Sequence, residues 1–336
     1  MTTEAGPLTV AGLTIEPGRA AAGWLPVEGL PDQRLPLMVS NGAGPGPRLG
    51  VTAGMHAAEY CGIEAATRLT RMIDPTELAG SIVVVPIVNF AGFCRRTEYV
   101  SPLDGHDLHA AFPGRDDGLP SERVAATIVR HVIAPAAAYL DLHGGDLTEA
   151  LAPFTIYDRA ADPAIAAASR ALGEVYDFGF IASSTMDGAP YAHASRTGKP
   201  AIIAEAGQQG IYDEAVVQGH LAGLQNVLRR LGMLPGEPVK RRETEDAGEL
   251  LWIRSEAEGT FHPRVRVGER VNSGHLLAET RDFFGRPTGE IRAPADALVL
   301  WMMTALAMPK GVTLVGMGVP GFNPRTRTQP TGVQQL

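Results

Sequence analysis

An apolar run from Leu49 to Ala53 stops at Gly54 and gives way to a segment with apolar residues at helical spacing, Ile63, Ala66 and Leu69. A buried strand that ends in a glycine turn and feeds a helix is the repeating unit of α/β folds. It sets side chains at the carboxyl edge of a sheet, where such folds bind ligands. The same transition recurs in AAYLDLHGGD (Ala137 to Asp146) and in PAIIAEAGQQG (Pro200 to Gly210). Between the first two, SIVVVPIVNF (Ser81 to Phe90) is a β-branched run suited to a strand buried on both faces. Helical spacing covers 55–73, Ser121 to Pro135 with Ser121 as N-cap, 161–174, and Gly219 to Met233. This alternation predicts a three-layer α/β/α sandwich with a mostly parallel sheet.

Short strands separated by Pro and Gly turns precede that unit, over residues 8–40, and NGAGPGPR (Asn41 to Arg48) reads as a tight loop. Its glycines are no phosphate cradle, because the interleaved prolines remove backbone donors. Gly316-x-Gly318-x-x-Gly321 is set aside too, since Pro320 interrupts it and no helix follows. Residues 91–120 form a long polar stretch rich in Gly and Pro, a length that usually carries function. The charged run Lys240 to Glu249 is taken as a linker, dividing a catalytic domain (1–240) from a β-rich capping domain (241–336).

Composition narrows the classes. With 336 residues, 45% of them hydrophobic, the chain can bury a full core without disulfides. Cys61 and Cys94 are its only cysteines, which points to a reducing compartment and argues against a cysteine zinc site. A net charge of -8 with dispersed basic residues argues against nucleic acid. The start, MTTEAGPLTV, shows no secretory leader, and no uncharged apolar run reaches 18 residues. A cytoplasmic protein acting on a small molecule is the expectation, with self-association the one macromolecular partnership left open.

The three strand ends carry His56 with Glu59, His143, and Glu205. His and Glu three apart at a helix start share one face, about 5–6 Å apart at Cβ. That suits one Zn²⁺ bound at about 2.0–2.2 Å, although HxxE alone equally describes a buried His beside a surface Glu. With His143 added, two His and one carboxylate leave a zinc position open, the ligand set of a hydrolytic rather than a structural site. Glu205 is then the candidate general base, and Asp141, two residues before His143, a candidate to orient that imidazole. His106, Asp107 and His109 form a second polar cluster with metal-binding residue types. Tyr191 and His220 are expected to be structural, and Trp301 with Met302 and Met303 to be β-domain core.

GMHAAEY, VPIVN, RRTEYVSPLDGHDLHAAFPG, DLHGGD and AEAG, in that order over roughly residues 30–320, resemble the succinylglutamate desuccinylase/aspartoacylase family of the zinc carboxypeptidase clan. The resemblance implies one zinc per chain on His56, Glu59 and His143, with Glu205 as the catalytic glutamate. It also implies hydrolysis of the amide in a small N-acyl amino acid or related N-acyl amine. A barrel-like C-terminal domain would cap the site. One departure stands out. Where the family has an Asn-Arg pair that binds a substrate carboxylate, this chain has His109-Ala110. A methyl group cannot replace a bidentate guanidinium. Either Arg96 carries the carboxylate alone or the substrate lacks one there, and His109 is expected to line the pocket in place of the Asn. A metallocarboxypeptidase of short peptides and a non-catalytic binding protein on the same scaffold are the competing readings.

Overall fold

The computed structural model describes residues 6–321 and 333–334. Residues 1–5, part of the segment read for a leader, lie outside the described residues. In chain order the first strands are β1 (Leu8–Val10), β2 (Leu13–Ile15), β3 (Arg19–Pro26), β4 (Arg34–Asn41), β5 (Gly44–Ala53) and β6 (Ala79–Val85). They are followed by β7 (Ala138–His143), β8 (Glu149–Leu151), β9 (Phe154–Asp158), β10 (Phe180–Ser184) and β11 (Ala201–Glu205). The helices are α1 (Tyr60–Met72), α2 (Phe90–Arg95), α3 (Pro120–Ile128), α4 (Pro163–Tyr176), α5 (Pro190–Arg196) and α6 (Glu214–Arg230). The C-terminal strands are β12 (Glu245–Arg254), β13 (Gly259–Pro263), β14 (Arg270–Val271), β15 (Leu276–Arg281), β16 (Pro287–Arg292), β17 (Ala297–Met303), β18 (Ala307–Met308), β19 (Thr313–Val319) and β20 (Val333–Gln334).

The fold is α/β, built on one large sheet in the order β14-β17-β19-β12-β10-β9-β11-β7-β5-β6-β4-β3. Its centre, β6-β5-β7-β11, is parallel as expected. The sheet as a whole is mixed, which corrects the mostly parallel expectation. Parallel neighbours need a crossover, usually helical, whereas a chain that turns straight back lies antiparallel. After β7 the chain passes through β8 into β9 without a helix, and β9 lies antiparallel to β11. The β3–β4 hairpin and its pairing with β6 are antiparallel for the same reason.

The sheet is covered on both faces, because successive residues of a strand point to opposite sides. Ile82 and Val84 of β6 join a core with Leu69 of α1, Leu172 of α4 and Leu221 of α6. Val83 and Val85 join another with Val124 and Ile128 of α3 and Ala192 of α5. Burying each large aliphatic side chain contributes about 1.5–3 kcal/mol, so the two cores hold the strand ends rigidly. Asp141, His143, Ile203 and Glu205 have the parity of Tyr139 and Ala201, placing the chemistry on the face of α3 and α5.

Several local expectations change. Asn41 to Arg48 is not a tight loop but the junction of β4 and β5. Its glycines allow close backbone approach, since a Cβ at Gly42 would sit 2.2 Å from the Leu78 carbonyl oxygen. Helix α3 begins two residues earlier than a Ser121 cap implies: Pro120 takes its first position and Ser121 instead bonds Asp104 through Oγ at 2.8 Å. Half of the charged stretch taken as a linker is strand. β12 runs parallel to β10 and carries the large sheet onward through β19, β17 and β14. Residues 241 onward thus extend the main sheet and add a separate four-stranded one, β16-β15-β13-β18. No helix among the described residues is long and apolar enough to cross a membrane.

His220 is structural, as read. It is fully buried on α6 and its Nε2 lies 3.3 Å from the Ala206 carbonyl, which can only accept, so Nε2 carries the proton. Nδ1 then accepts from the Tyr176 hydroxyl at 3.0 Å. Burial pushes its pKa down to about 4. Between the ordinary imidazole value of about 6.5 and that value the unfolded chain binds a proton that the folded chain refuses, so stability falls with pH. From pH 7 to pH 5 the loss due to His220 is about 2 kcal/mol. Urea unfolding at both pH values should show the wild type losing that much more than His220→Asn. Equal losses would contradict it.

Candidate metal centre and its cavity

The turn between β5 and α1 presents the first two groups of the site. Glu59 is the N-cap of α1 rather than a helical residue, and His56 lies in the turn before it, which corrects the reading of both on one helix face. Gly54, at φ 65°, supplies the left-handed backbone that makes the turn. His56 Nδ1 stands 2.8 Å from Glu59 Oε1, and His143 Nδ1 stands 3.0 Å from Glu59 Oε2. Each residue offers a ligand atom within 4.8 Å of the others, and all three are buried. Glu59 Oε2 makes no properly directed hydrogen bond despite its closeness to His143. Three such groups converging in a buried place could share a cation, and two imidazoles with one carboxylate suit a divalent metal.

Both imidazoles are held by their other nitrogen. His143 Nε2 lies 3.0 Å from Asp141 Oδ2, and Asp141 Oδ1 accepts from Thr52 Oγ1 at 2.6 Å. Thr52 in turn bonds the Tyr139 hydroxyl. His56 Nε2 lies 3.3 Å from Asp107 Oδ1, which also accepts from the His109 backbone N–H at 2.9 Å. A proton on each Nε2 leaves both Nδ1 lone pairs facing Glu59, the tautomer a metal requires. Tyr99 stacks on His56 with centroids 4.3 Å apart.

Electrostatics follow from burial and these contacts. Burial works against charge on both His56 and His143, but Glu59 with Asp107 and Asp141 outweighs it and holds both imidazoles well above their ordinary value. Burial would raise Glu59, yet His143 and His56 bring it down to about 2. Asp107 also ends at about 2, burial being overcome by its bond to His56. His109 is pushed down to about 4 by burial and by His143, so it is neutral at pH 7. Burial lifts Glu205 to about 8, with Glu59 and Glu149 adding and the imidazoles of His143 and His56 opposing.

A cavity of about 860 Å³ opens over this cluster. His56, Glu59, His109, His143 and Glu205 all line it, and Glu205 is the register partner of His143 across β7 and β11. Ala110 lines it beside His109. Arg96, expected to position substrate, does not: it caps α2 in the left-handed region at φ 56° and is exposed. The second polar cluster does not assemble, because His106 is exposed while Asp107 serves His56. His109, Asp141 and His143 form a further grouping of metal-binding types, in which Asp141 already holds His143. Arg196 is taken up by Asp158 at 2.7 Å and by Asp187. Trp301 and Met303, read as core, line the cavity together with Trp252 and Arg254 of β12. Strand parity could have shown this for Trp252 and Arg254; which wall they join depends on the β12–β10 pairing, which no local pattern announces.

Comparison with known proteins agrees with this geometry. The profile of the Succinylglutamate desuccinylase/Aspartoacylase catalytic domain matches residues 45–231. An N-alpha-acetyl-L-2,4-diaminobutyric acid deacetylase of Halomonas elongata is 28% identical over 271 residues, 76% of this chain and 77% of that enzyme. Among solved structures, the product-bound ectoine utilization protein EutE (DoeB) of Ruegeria pomeroyi superposes with a TM-score of 0.81 at 27% identity, covering 94% of this chain and 98% of that one. An aspartoacylase family protein of Mesorhizobium loti superposes with a TM-score of 0.73 at 26% identity, over 90% of this chain and 96% of the other.

Proposed function

The chain belongs to the succinylglutamate desuccinylase/aspartoacylase family, and from that premise we propose that it is a zinc-dependent hydrolase of the amide in a small N-acyl amino acid or related N-acyl amine. One observation carries the proposal: His56 Nδ1, His143 Nδ1 and the Glu59 carboxylate converge at the base of a large cavity that Glu205 also lines. Zinc bound by these three residues would polarise the acyl carbonyl and lower the pKa of water to about 7. Glu205, in its carboxylate form, takes the proton of the attacking water and delivers it to the departing amine nitrogen as the acyl C–N bond breaks; burial, by lifting its pKa to about 8, makes that carboxylate a stronger base. Asp141 and Asp107 hold the two imidazoles in the ligating tautomer. His109, neutral and with a buried Nε2 that lacks a hydrogen-bond partner, is proposed to bind the substrate. We read the scaffold as a three-layer α/β/α sandwich whose residues from 241 onward cap the site.

The Halomonas relative suggests the first substrate to try. The zinc-loaded protein should release acetate from Nα-acetyl-L-2,4-diaminobutyrate, or the corresponding acid from other N-acyl amino acids, and a chelator should stop it. A preference for short peptides with free C-termini would instead favour the carboxypeptidase reading. No amide hydrolysis across both panels would contradict the proposal.

A further inference from the structure

Among the Lys and Arg side chains of the described residues, Arg254 alone lines the cavity. Among the cavity's other lining residues, Glu98, Glu149 and Asp187 contribute carboxyl groups, Tyr99, Thr148 and Thr313 hydroxyls, and Trp252 and Trp301 meet edge to face with centroids 5.8 Å apart. A substrate carboxylate finds no partner in those carboxyl groups, whereas Arg254 offers it a guanidinium.

Arg254 is also uncommitted. Arginines such as Arg159 and Arg170 are held by acids, Arg159 by Glu249 at 2.8 Å and Arg170 by Asp246 at 2.5 Å. Arg254 forms no ion pair with any described residue. Its hydrogen bond runs from Nη1 to the Gly311 carbonyl at 3.2 Å, and its Nε is buried without a partner. A guanidinium has five N–H donors in a fixed fork that matches a carboxylate, so most of its capacity is unspent. A buried donor left unmade is costly, which makes an incoming acceptor favourable.

The strand geometry fixes the group. Arg254 ends β12, two residues after Trp252, and both face the cavity. Trp252 is seated against β19 at Gly316, where a Cβ would come within 2.4 Å of the indole Cζ3. That glycine therefore belongs to the packing of this wall, not to a phosphate loop.

We propose that Arg254 is the substrate-carboxylate anchor, so that the substrate is an N-acyl amine bearing a carboxylate, held by the C-terminal wall while its amide faces Glu205. This rests on the hydrolase reading and deepens it. It also accounts for Ala110: the positive charge missing from the 109–110 wall is supplied from β12.

The test uses zinc-loaded protein carrying Glu205→Gln, with Nα-acetyl-L-2,4-diaminobutyrate and its methyl amide as calorimetric ligands. A charge-assisted bidentate contact predicts that the carboxylate binds about 10- to 100-fold more tightly than the amide. Adding Arg254→Gln should abolish that preference and leave the affinity for the amide unchanged, which also shows that the variant is folded. Arg254→Lys should keep part of the preference. Equal affinities before the change, a preference that survives Arg254→Gln, or an equal loss for both ligands would overturn the assignment. Turnover by the wild-type protein is read separately. A carboxylate preference that depends on Arg254 without hydrolysis of either ligand would contradict the hydrolase reading and leave the anchor standing.

Discussion

Glu205→Gln should keep the metal and lose the reaction, with kcat falling by about 10²- to 10⁴-fold, the range for loss of a general base. The amide is isosteric with the carboxyl but cannot accept the water proton or pass it to the amine. Glu205 neither ligates nor holds a ligand: its register partner His143 is fixed by Asp141 and Glu59 instead. Metal content and KM should therefore move little while kcat collapses. The measurement is a steady-state rate with elemental analysis on the same sample. Near-normal turnover would remove Glu205 from the mechanism. Loss of metal would show that its role is structural.

Asp141→Asn should weaken metal binding by about 10- to 100-fold, the cost usually seen when a partner of a ligating imidazole is changed. Asp141 is fully buried and uses one oxygen for Thr52 and the other for His143. Asn has the same shape but a single acceptor oxygen, so one of those donors goes unsatisfied. The carboxylate charge that makes His143 a stronger ligand is lost as well. Competition with a chromophoric chelator gives the affinity. An unchanged value would mean that Asp141 only fills space.

Much of the site could be read along the chain because its parts stand where a local pattern is sharp. His143 and Glu205 each terminate an apolar strand at a glycine turn, His56 lies in the turn after another, and all three reach one cavity. Asp141 could be read by parity, since residues i and i+2 of a strand share a face. Other parts depend on long-range pairing, which leaves no local trace. β9 and β10 have ordinary strand composition, and nothing local shows that the β7–β8–β9 turnback sets β9 antiparallel to β11. Charge density disguised the start of β12 as a linker, although Ala247, Leu250 and Leu251 are buried in it. Trp301 sits in a strand of buried residues, and only its partners across the sheet turn its ring toward the site. Asp107 and Tyr99 lie in the long polar stretch, where length signalled function but no periodicity could say which residues meet His56.

Elemental analysis of the purified protein, alongside His56→Ala, tests the central claim most directly. His56 is one of two imidazoles sharing Glu59, and losing it leaves too few ligands for a tight site. The expected result is about one zinc per wild-type chain and essentially none in the variant. No metal in the wild type, and none taken up on adding zinc, would contradict the account and leave a family scaffold without its metal chemistry.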